Sequence, residues 1–221
     1  MSQPAAPADP KLVVGRGYDQ IGARYLAWSA LRPSVARLQA LRWTDDRIPL
    51  GAKVLELGCG AGIPMTATIA NGRQITGVDI SPAQVERAQA NVPNAEFLVA
   101  DMASLDWPAA SFDAVVAFYS LTHLPREELR PLLAQIGRWL RPGGLFVASF
   151  GVEDDAGGIE RDWLGVEMFF RHFSAGTNRR LVVEAGFDIE IAEVLVEPED
   201  RFDARFLWIV ARKPAVGTER P

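Results

Sequence analysis

Only one of the 221 residues is cysteine and only two are histidine. A lone thiol excludes an intrachain disulfide framework and any zinc centre built from several thiolates, and it fits a reducing compartment. No apolar run approaches the roughly 20 residues that a membrane-spanning helix needs, and Met1 to Pro10 lacks the charged and apolar regions of a signal peptide. The expectation is a cytoplasmic protein with no membrane partner. Cations are in the minority, 23 Lys and Arg against 28 Asp and Glu, for a net charge of −5. The electrostatic footprint of a phosphate-backbone binder is therefore missing, and nucleic acid is not an expected partner. Asp154 and Asp155 are adjacent but have no second cluster of hard oxygen ligands behind them, so no metal site is expected.

What is present is a chain that can fill a real core, 48% of it apolar. Residues 1–14 and 214–221 are small, polar or proline-containing and read as tails. Tyr18, Ile21, Tyr25 and Trp28 recur at helical spacing, and a second helical stretch opens at Pro33, so 15–50 reads as a helical N-terminal segment ahead of a core at 51–213. From Lys53 strands alternate with helices: strands at 53–57, 74–78 and 95–99, helices at about 62–71 and 82–90. That alternation implies a parallel sheet with right-handed crossovers. Ser81, Pro82 and Gln84 form the start signal of the second of these helices, a capping box. Phe112 to Phe118 reads as a fourth strand, and Leu129, Leu132, Leu133, Ile136 and Leu140 as a helix stripe that Pro131 should shorten or bend. Gly143-Gly144 stops that helix before a strand at Leu145 to Phe150. A loop region at 151–173 and a helix at 174–185 follow. Phe187 to Val196 and Arg205 to Arg212 are separated by about eight residues, too few for a helical crossover, so they should pair antiparallel.

The most informative stretch is Val54-Leu55-Glu56-Leu57-Gly58-Cys59-Gly60-Ala61-Gly62, with Gly77-Val78-Asp79-Ile80 about twenty residues on. Three alternate glycines after an apolar strand bring bare backbone against a ligand, and Asp79 closes the next strand where a carboxylate can take two ribose hydroxyls. A dinucleotide site asks for G-x-G-x-x-G and neutralises a pyrophosphate. Here the glycines run G-x-G-x-G behind the acidic Glu56, which repels phosphate and attracts an ammonium group.

Glu56 to Gly62 resembles the first motif of the class I S-adenosylmethionine-dependent methyltransferases, and further matches run from Lys53 to Phe150, about half the chain. The resemblance implies a Rossmann-like α/β fold with a seven-stranded sheet, mostly parallel with an antiparallel last strand, and N-terminal helices forming a lid. It implies S-adenosyl-L-methionine as cofactor, leaving as S-adenosyl-L-homocysteine. Asn94 to Met102 is similar to the third-strand motif, in which Asp101 accepts from the adenine amino group and the Met102 amide donates to a ring nitrogen. Ile80 would pack on the adenine, and Phe112 to Tyr119 resembles the motif whose Phe118 borders the methyl donor. Gln84, at the start of the helix beside the ribose, joins Gly58, Gly60 and Gly62 in the expected cofactor set. Tyr18, Tyr25 and Trp28 look similar to the aromatic helix that covers the cofactor in small-molecule members.

Methyl transfer from a sulfonium is a direct displacement, so alignment and water exclusion come first. An acceptor that must lose a proton needs a base, and histidine suits neutral pH. His123 follows the fourth strand on the ligand-binding edge; His172 lies after the fifth and ranks slightly ahead as base. Trp28, Tyr119, Trp163, Met168 and Phe169 are the candidate acceptor-binding residues, though the aromatic cluster at 163–170 also fits a small satellite core. No Asp- or Asn-Pro-Pro-Tyr tetrad follows the fourth strand, where Ala117-Phe118-Tyr119-Ser120 stands, which argues against amino methylation of adenine or glutamine. The expected partner is a small, partly apolar organic acceptor, bound by a monomer or homodimer. Two alternatives remain: a nicotinamide-dependent oxidoreductase, and a cofactor-binding subunit that transfers nothing.

Overall fold

The structure is a computed structural model, and it describes residues 9–30, 34–198 and 203–215. The core strands are β1 (Lys53–Leu57), β2 (Gln74–Asp79), β3 (Glu96–Val99), β4 (Phe112–Ala117) and β5 (Leu140–Gly151). Two further strands, β6 (Asp155–Trp163) and β7 (Val166–His172), form a separate antiparallel hairpin, and β8 (Asp188–Pro198) and β9 (Asp203–Arg212) complete the main sheet. Its order is β3-β2-β1-β4-β5-β9-β8, parallel except for β9, which runs antiparallel to both neighbours. This is the expected seven-stranded sheet with its last strand reversed.

Strand alternation splits the core into two layers. Leu55 and Leu57 of β1, Val115 and Ala117 of β4, and Leu207 and Ile209 of β9 face the apolar stripe of α5 (Arg126–Trp139) and the helix α6 (Ala175–Glu184). Val54, Ala114, Val116, Trp208 and Val210 face the other way, against α2 (Val35–Asp45), α3 (Met65–Ile69) and α4 (Pro82–Asn91). Glu56 shares the side of Val54 and is carried by the same alternation into the interior. The sheet order turns outward in both directions between β1 and β4, and the crevice at their carboxyl ends is where open α/β sheets bind ligands.

Several boundaries differ from expectation. The helix α1 (Pro10–Ala30) begins inside the stretch read as a tail, because Val14 is buried in a small third core and Lys11 is tied to Asp101 at 2.7 Å and Glu128 at 2.9 Å. The remaining tail positions, 1–8 and 216–221, lie outside the described residues. Gly22, at φ +33, breaks α1 into two segments. The helix expected at 62–71 shrinks to Met65–Ile69: Gly62 sits at φ +77 and Pro64 disfavours helix at the residue before it, while Gly72 at φ +76 closes the far end. Ser81 caps α4, accepting from the Gln84 N–H at 3.2 Å, and α5 runs continuously through Pro131. The region 151–173 is the β6–β7 hairpin, not a loop. Strand β6 is exposed along all but its last residue, so it carries no period-two apolar pattern to read. Among the described residues no helix is long and apolar enough to cross a membrane.

Candidate functional site

Past the carboxyl end of β1 the chain turns sharply at Gly58, whose φ is +78. The turn is anchored from both sides: the N–H groups of Gly58 and Cys59 donate to the Val78 carbonyl at 2.7 and 3.0 Å, and the Ser120 hydroxyl donates to the Leu57 carbonyl at 2.6 Å. A cleft opens over this turn, floored by Gly58 to Ala61, walled by Asp79, Phe118 and Tyr119 and roofed by Tyr18, Tyr25 and Leu26 of α1. A second hollow, lined by Lys11, Ala100, Asp101 and Leu124, continues from it and shares Val14, Asp79, Ile80, Met102, Ser120 and His123. The two form one elongated site. Gly60 is a cradle in the strict sense: a Cβ there would meet no atom within 4 Å and would project into unfilled space.

Three carboxylates set the electrostatics. Glu56 is 3% exposed, one of its oxygens has no hydrogen-bond partner, and burial, with Asp79 adding to it, pushes its pKa up to about 8. Asp79 accepts from the Gly60 N–H at 2.8 Å and the Ser81 N–H at 2.9 Å, so the carboxylate braces the glycine turn and the start of α4 while lining the cleft. Burial raises its pKa, and those N–H groups oppose the rise. Asp101 is half-buried; burial would raise it, but Lys11, the Ala103 N–H and the Ser104 hydroxyl outweigh this and hold it below the usual carboxylate range. Burial beside Asp79 and Glu56 drives the Cys59 thiol far up, which rules it out as a thiolate nucleophile.

His123 joins α1 to the hairpin. Its Nδ1 lies 2.8 Å from the Phe169 carbonyl, which can only accept, so Nδ1 carries the proton and Nε2 accepts from the Tyr18 hydroxyl at 2.9 Å. Burial lowers the His123 pKa to about 4, with the Phe169 carbonyl opposing, so the ring, which lines the cleft, is neutral and its lone pair is taken by Tyr18. His172, expected as the better base, is elsewhere. It lies in a separate small cavity with Arg126, Phe150, Arg171 and Asn178, packed so tightly on Gly151 that a Cβ there would sit 2.3 Å from its Nδ1. In a strand, unlike a loop, two residues past Phe170 is a full repeat along the same face, and that repeat carries His172 beyond the cleft.

The expected acceptor residues also separate. Trp163, Met168 and Phe169 form the third core with Val14, Ile21 and Tyr18: Met168 is fully buried against Gly17, and Trp163 packs on Tyr18, Tyr25 and Phe170. They hold α1 on the hairpin and do not line the cleft. Trp28 stacks on Tyr25, behind the cleft wall. Gln84 points at the Tyr18 carbonyl, 3.5 Å away, and Gly62 packs under α4, where a Cβ would press on Val92 and Ala88. Tyr18, Tyr25, Glu56, Gly58, Gly60, Asp79, Ile80, Met102, Phe118, Tyr119 and His123 do line the cleft, and Asp101 lines its extension. Arg37, Ile63, Pro64 and Met65 line it as well, although no motif marks them. The residues fit an adenosyl cation: an unpaired buried carboxylate oxygen beside a bare bend, a second carboxylate at the end of β2 and a third beyond it.

Residues 54–144 match a family model described as a methyltransferase domain. Over 171 residues the chain is 38% identical to the 27-O-demethylrifamycin SV methyltransferase of Amycolatopsis mediterranei, an alignment covering 67% of this chain and 62% of that relative. The chain thus spans less than two thirds of the relative's length. The crystal structure of Burkholderia thailandensis 1,6-didemethyltoxoflavin-N1-methyltransferase, with bound 1,6-didemethyltoxoflavin and S-adenosylhomocysteine, superposes with a TM-score of 0.72 at 22% identity, covering 97% of this chain and 93% of that one. The [4+2]-cyclase SpnF superposes equally well, TM-score 0.72 at 22% identity, over 96% of this chain and all of that one.

Proposed function

Because the chain belongs to the class I S-adenosylmethionine-dependent methyltransferases, we propose that it transfers a methyl group by direct displacement to a small, partly apolar organic acceptor in the cytoplasm, with α1 and α2 as the lid. The single observation that carries the reading is the buried Glu56 with its unpaired oxygen at the glycine bend. A carboxylate there is placed to receive the ammonium of an amino-acid tail and would repel the pyrophosphate of a nicotinamide cofactor. S-adenosylmethionine, when bound, supplies an electrophilic methyl on a sulfonium. Asp79 would hold the ribose, Asp101 and the Met102 N–H the adenine edge, and Ile80 its face. Phe118, Tyr25, Leu26, Ile63 and Met65 give the remainder of the cleft an apolar lining that excludes water and suits an apolar acceptor. The relative named for 27-O-demethylrifamycin SV and the neighbour crystallised with 1,6-didemethyltoxoflavin support a small acceptor.

A screen of phenolic, amine and thiol acceptors with methyl-labelled donor tests the proposal. Because SpnF, named as a cyclase, has the same fold, transfer of label is the deciding readout and cofactor binding alone is not; the absence of label on every class would remove the transferase reading. Within it, His123 is the base. The acceptor's proton passes to the Tyr18 hydroxyl as that hydroxyl gives its own proton to Nε2. The His123→Ala enzyme should transfer label about a hundredfold more slowly, the low end of general-base effects, while S-adenosylhomocysteine binding stays within about tenfold; the His172→Ala enzyme should keep most of its turnover. Equal turnover of His123→Ala and the parent would remove the base assignment.

Glu56 makes cofactor binding pH-dependent. With its pKa near 8 in the free protein, it is largely protonated at lower pH, and an ammonium beside it favours the ionised form. Binding therefore expels a proton below that pH. Affinity for S-adenosylhomocysteine should climb as pH rises from 6 toward 8, by up to about tenfold per unit, and level off above. Calorimetric titrations across this range should show the slope in the parent and none in Glu56→Gln.

A further inference from the structure

One cationic side chain lines the main cleft among the described residues, Arg37, and the cofactor grip makes no use of it. It stands in the first turn of α2, away from the Asp101 end. Its guanidinium carbon lies 5.8 Å from the centroid of the Tyr119 ring, and its Nε is buried without a hydrogen-bond partner. The parts that hold it are built around a single buried carboxylate. Glu197, 6% exposed, accepts from the Ser34 hydroxyl at 2.6 Å and from the Tyr119 hydroxyl. Ser34 in turn caps α2 by accepting from the Arg37 N–H at 2.8 Å. Both the backbone of Arg37 and the ring beneath its guanidinium are thus fixed to one point.

Tyr119 cannot serve as a base in this arrangement, since Glu197 holds its proton and burial raises its pKa well above the ordinary value. It is a shelf. It also immediately follows Phe118, at the point where β4 delivers the chain to the cleft, so the shelf and its guanidinium line the cleft next to the residue that the resemblance puts beside the methyl donor. A guanidinium with a desolvated, unpaired N–H beside apolar walls is a receptor for an anionic oxygen, because an unmatched charged donor there costs free energy that such a partner recovers.

We infer that Arg37 is the specificity-determining residue of this cleft and selects acceptors that carry an anionic oxygen group, a carboxylate or an ionised enol or phenol. The inference rests on the methyltransferase reading above. The test compares the parent with Arg37→Gln and Arg37→Lys, using methyl-labelled S-adenosylmethionine and matched probes, hydroxybenzoates against the corresponding hydroxybenzamides. Calorimetry gives the S-adenosylhomocysteine affinity of each variant. The parent should favour the acids by about tenfold or more in kcat/KM, the size of one charge-assisted hydrogen bond. Arg37→Gln should erase the preference, Arg37→Lys should keep part of it, and cofactor affinity should stay within about threefold in both. If neither probe series is methylated, their binding to the S-adenosylhomocysteine complex carries the same comparison. A preference that survives in Arg37→Gln overturns the inference. So does a tenfold loss of cofactor affinity with the preference intact, which would assign Arg37 to the carboxylate of the cofactor's own tail. Failure of the parent to bind S-adenosylhomocysteine would overturn the methyltransferase reading, and the inference with it.

Discussion

Replacing Gly58 with alanine should unfold much of the protein at ambient temperature, whereas the same change at Gly60 should leave it folded and unable to bind its cofactor. At Gly58 the φ of +78 already costs an alanine roughly 1 to 2 kcal/mol. The added Cβ would lie 2.3 Å from the Cβ of Ser120 and 2.9 Å from its hydroxyl oxygen. Ser120 cannot move aside freely, because its hydroxyl bonds the Leu57 carbonyl at 2.6 Å inside the core. Forcing it away adds overpacking of about 1 to 3 kcal/mol and orphans a buried carbonyl for about 1 to 3 more. The sum, about 3 to 8 kcal/mol, is comparable to the whole stability of a domain. At Gly60, φ is +53 and nothing stands within 4 Å of the new methyl, so the stability loss should stay near 1 to 2 kcal/mol. The methyl would instead occupy the cradle. Denaturant midpoints together with S-adenosylhomocysteine titrations of both variants check this. Two variants with equal midpoints would show that the bend is not built as described.

The second large effect is expected at Asp79. Its two oxygens each take one backbone N–H, from Gly60 and Ser81, and keep lone pairs toward the cleft. Asparagine preserves the shape but turns an amide NH2 against one of those N–H donors, and it loses the charge that strengthens hydrogen bonds from ribose hydroxyls. Two such bonds at about 1.5 to 3 kcal/mol each predict a loss of cofactor affinity of at least about a hundredfold in Asp79→Asn. Folding should suffer less, since removing a buried carboxylate also removes the burial penalty that raises its pKa. Calorimetry measures the first effect and thermal unfolding the second. Affinity within threefold of the parent would place the ribose elsewhere.

The main sheet and most of the cleft lining at the glycine bend were readable from the chain because their signals are local. Glycine spacing, a carboxylate at a strand end and a period-two or 3.6-residue apolar pattern each need only a few neighbouring residues, and β1, β2, α4 and β4 fall close to where those patterns put them. Of the residues expected to bind an acceptor, Tyr119 lines the cleft, but the others were not readable in this way. Met168, Trp163 and Phe169 look the same in sequence whether they line a pocket or pack a helix onto a hairpin, and only the pairing of β6 with β7 decides between the two. His172 illustrates the same limit: its type suggested a base, but the strand register carries it past Phe170 into another cavity. Arg37 and Glu197 are 160 positions apart, and although Tyr119 ends the fourth-strand motif, nothing local shows that its hydroxyl and that of Ser34 converge on Glu197. Lys11, within a stretch too polar to suggest order, gains its place from Asp101 and Glu128 far along the chain.

The point on which the proposed function turns is the bare bend flanked by Glu56 and Asp79, which on that reading takes an adenosyl amino acid and refuses a diphosphate. Titrating the protein with S-adenosylhomocysteine and, separately, with NAD in a calorimeter tests it most directly. Binding of S-adenosylhomocysteine at micromolar concentration, with no heat from NAD, is the predicted result. NAD binding with S-adenosylhomocysteine silent would contradict it.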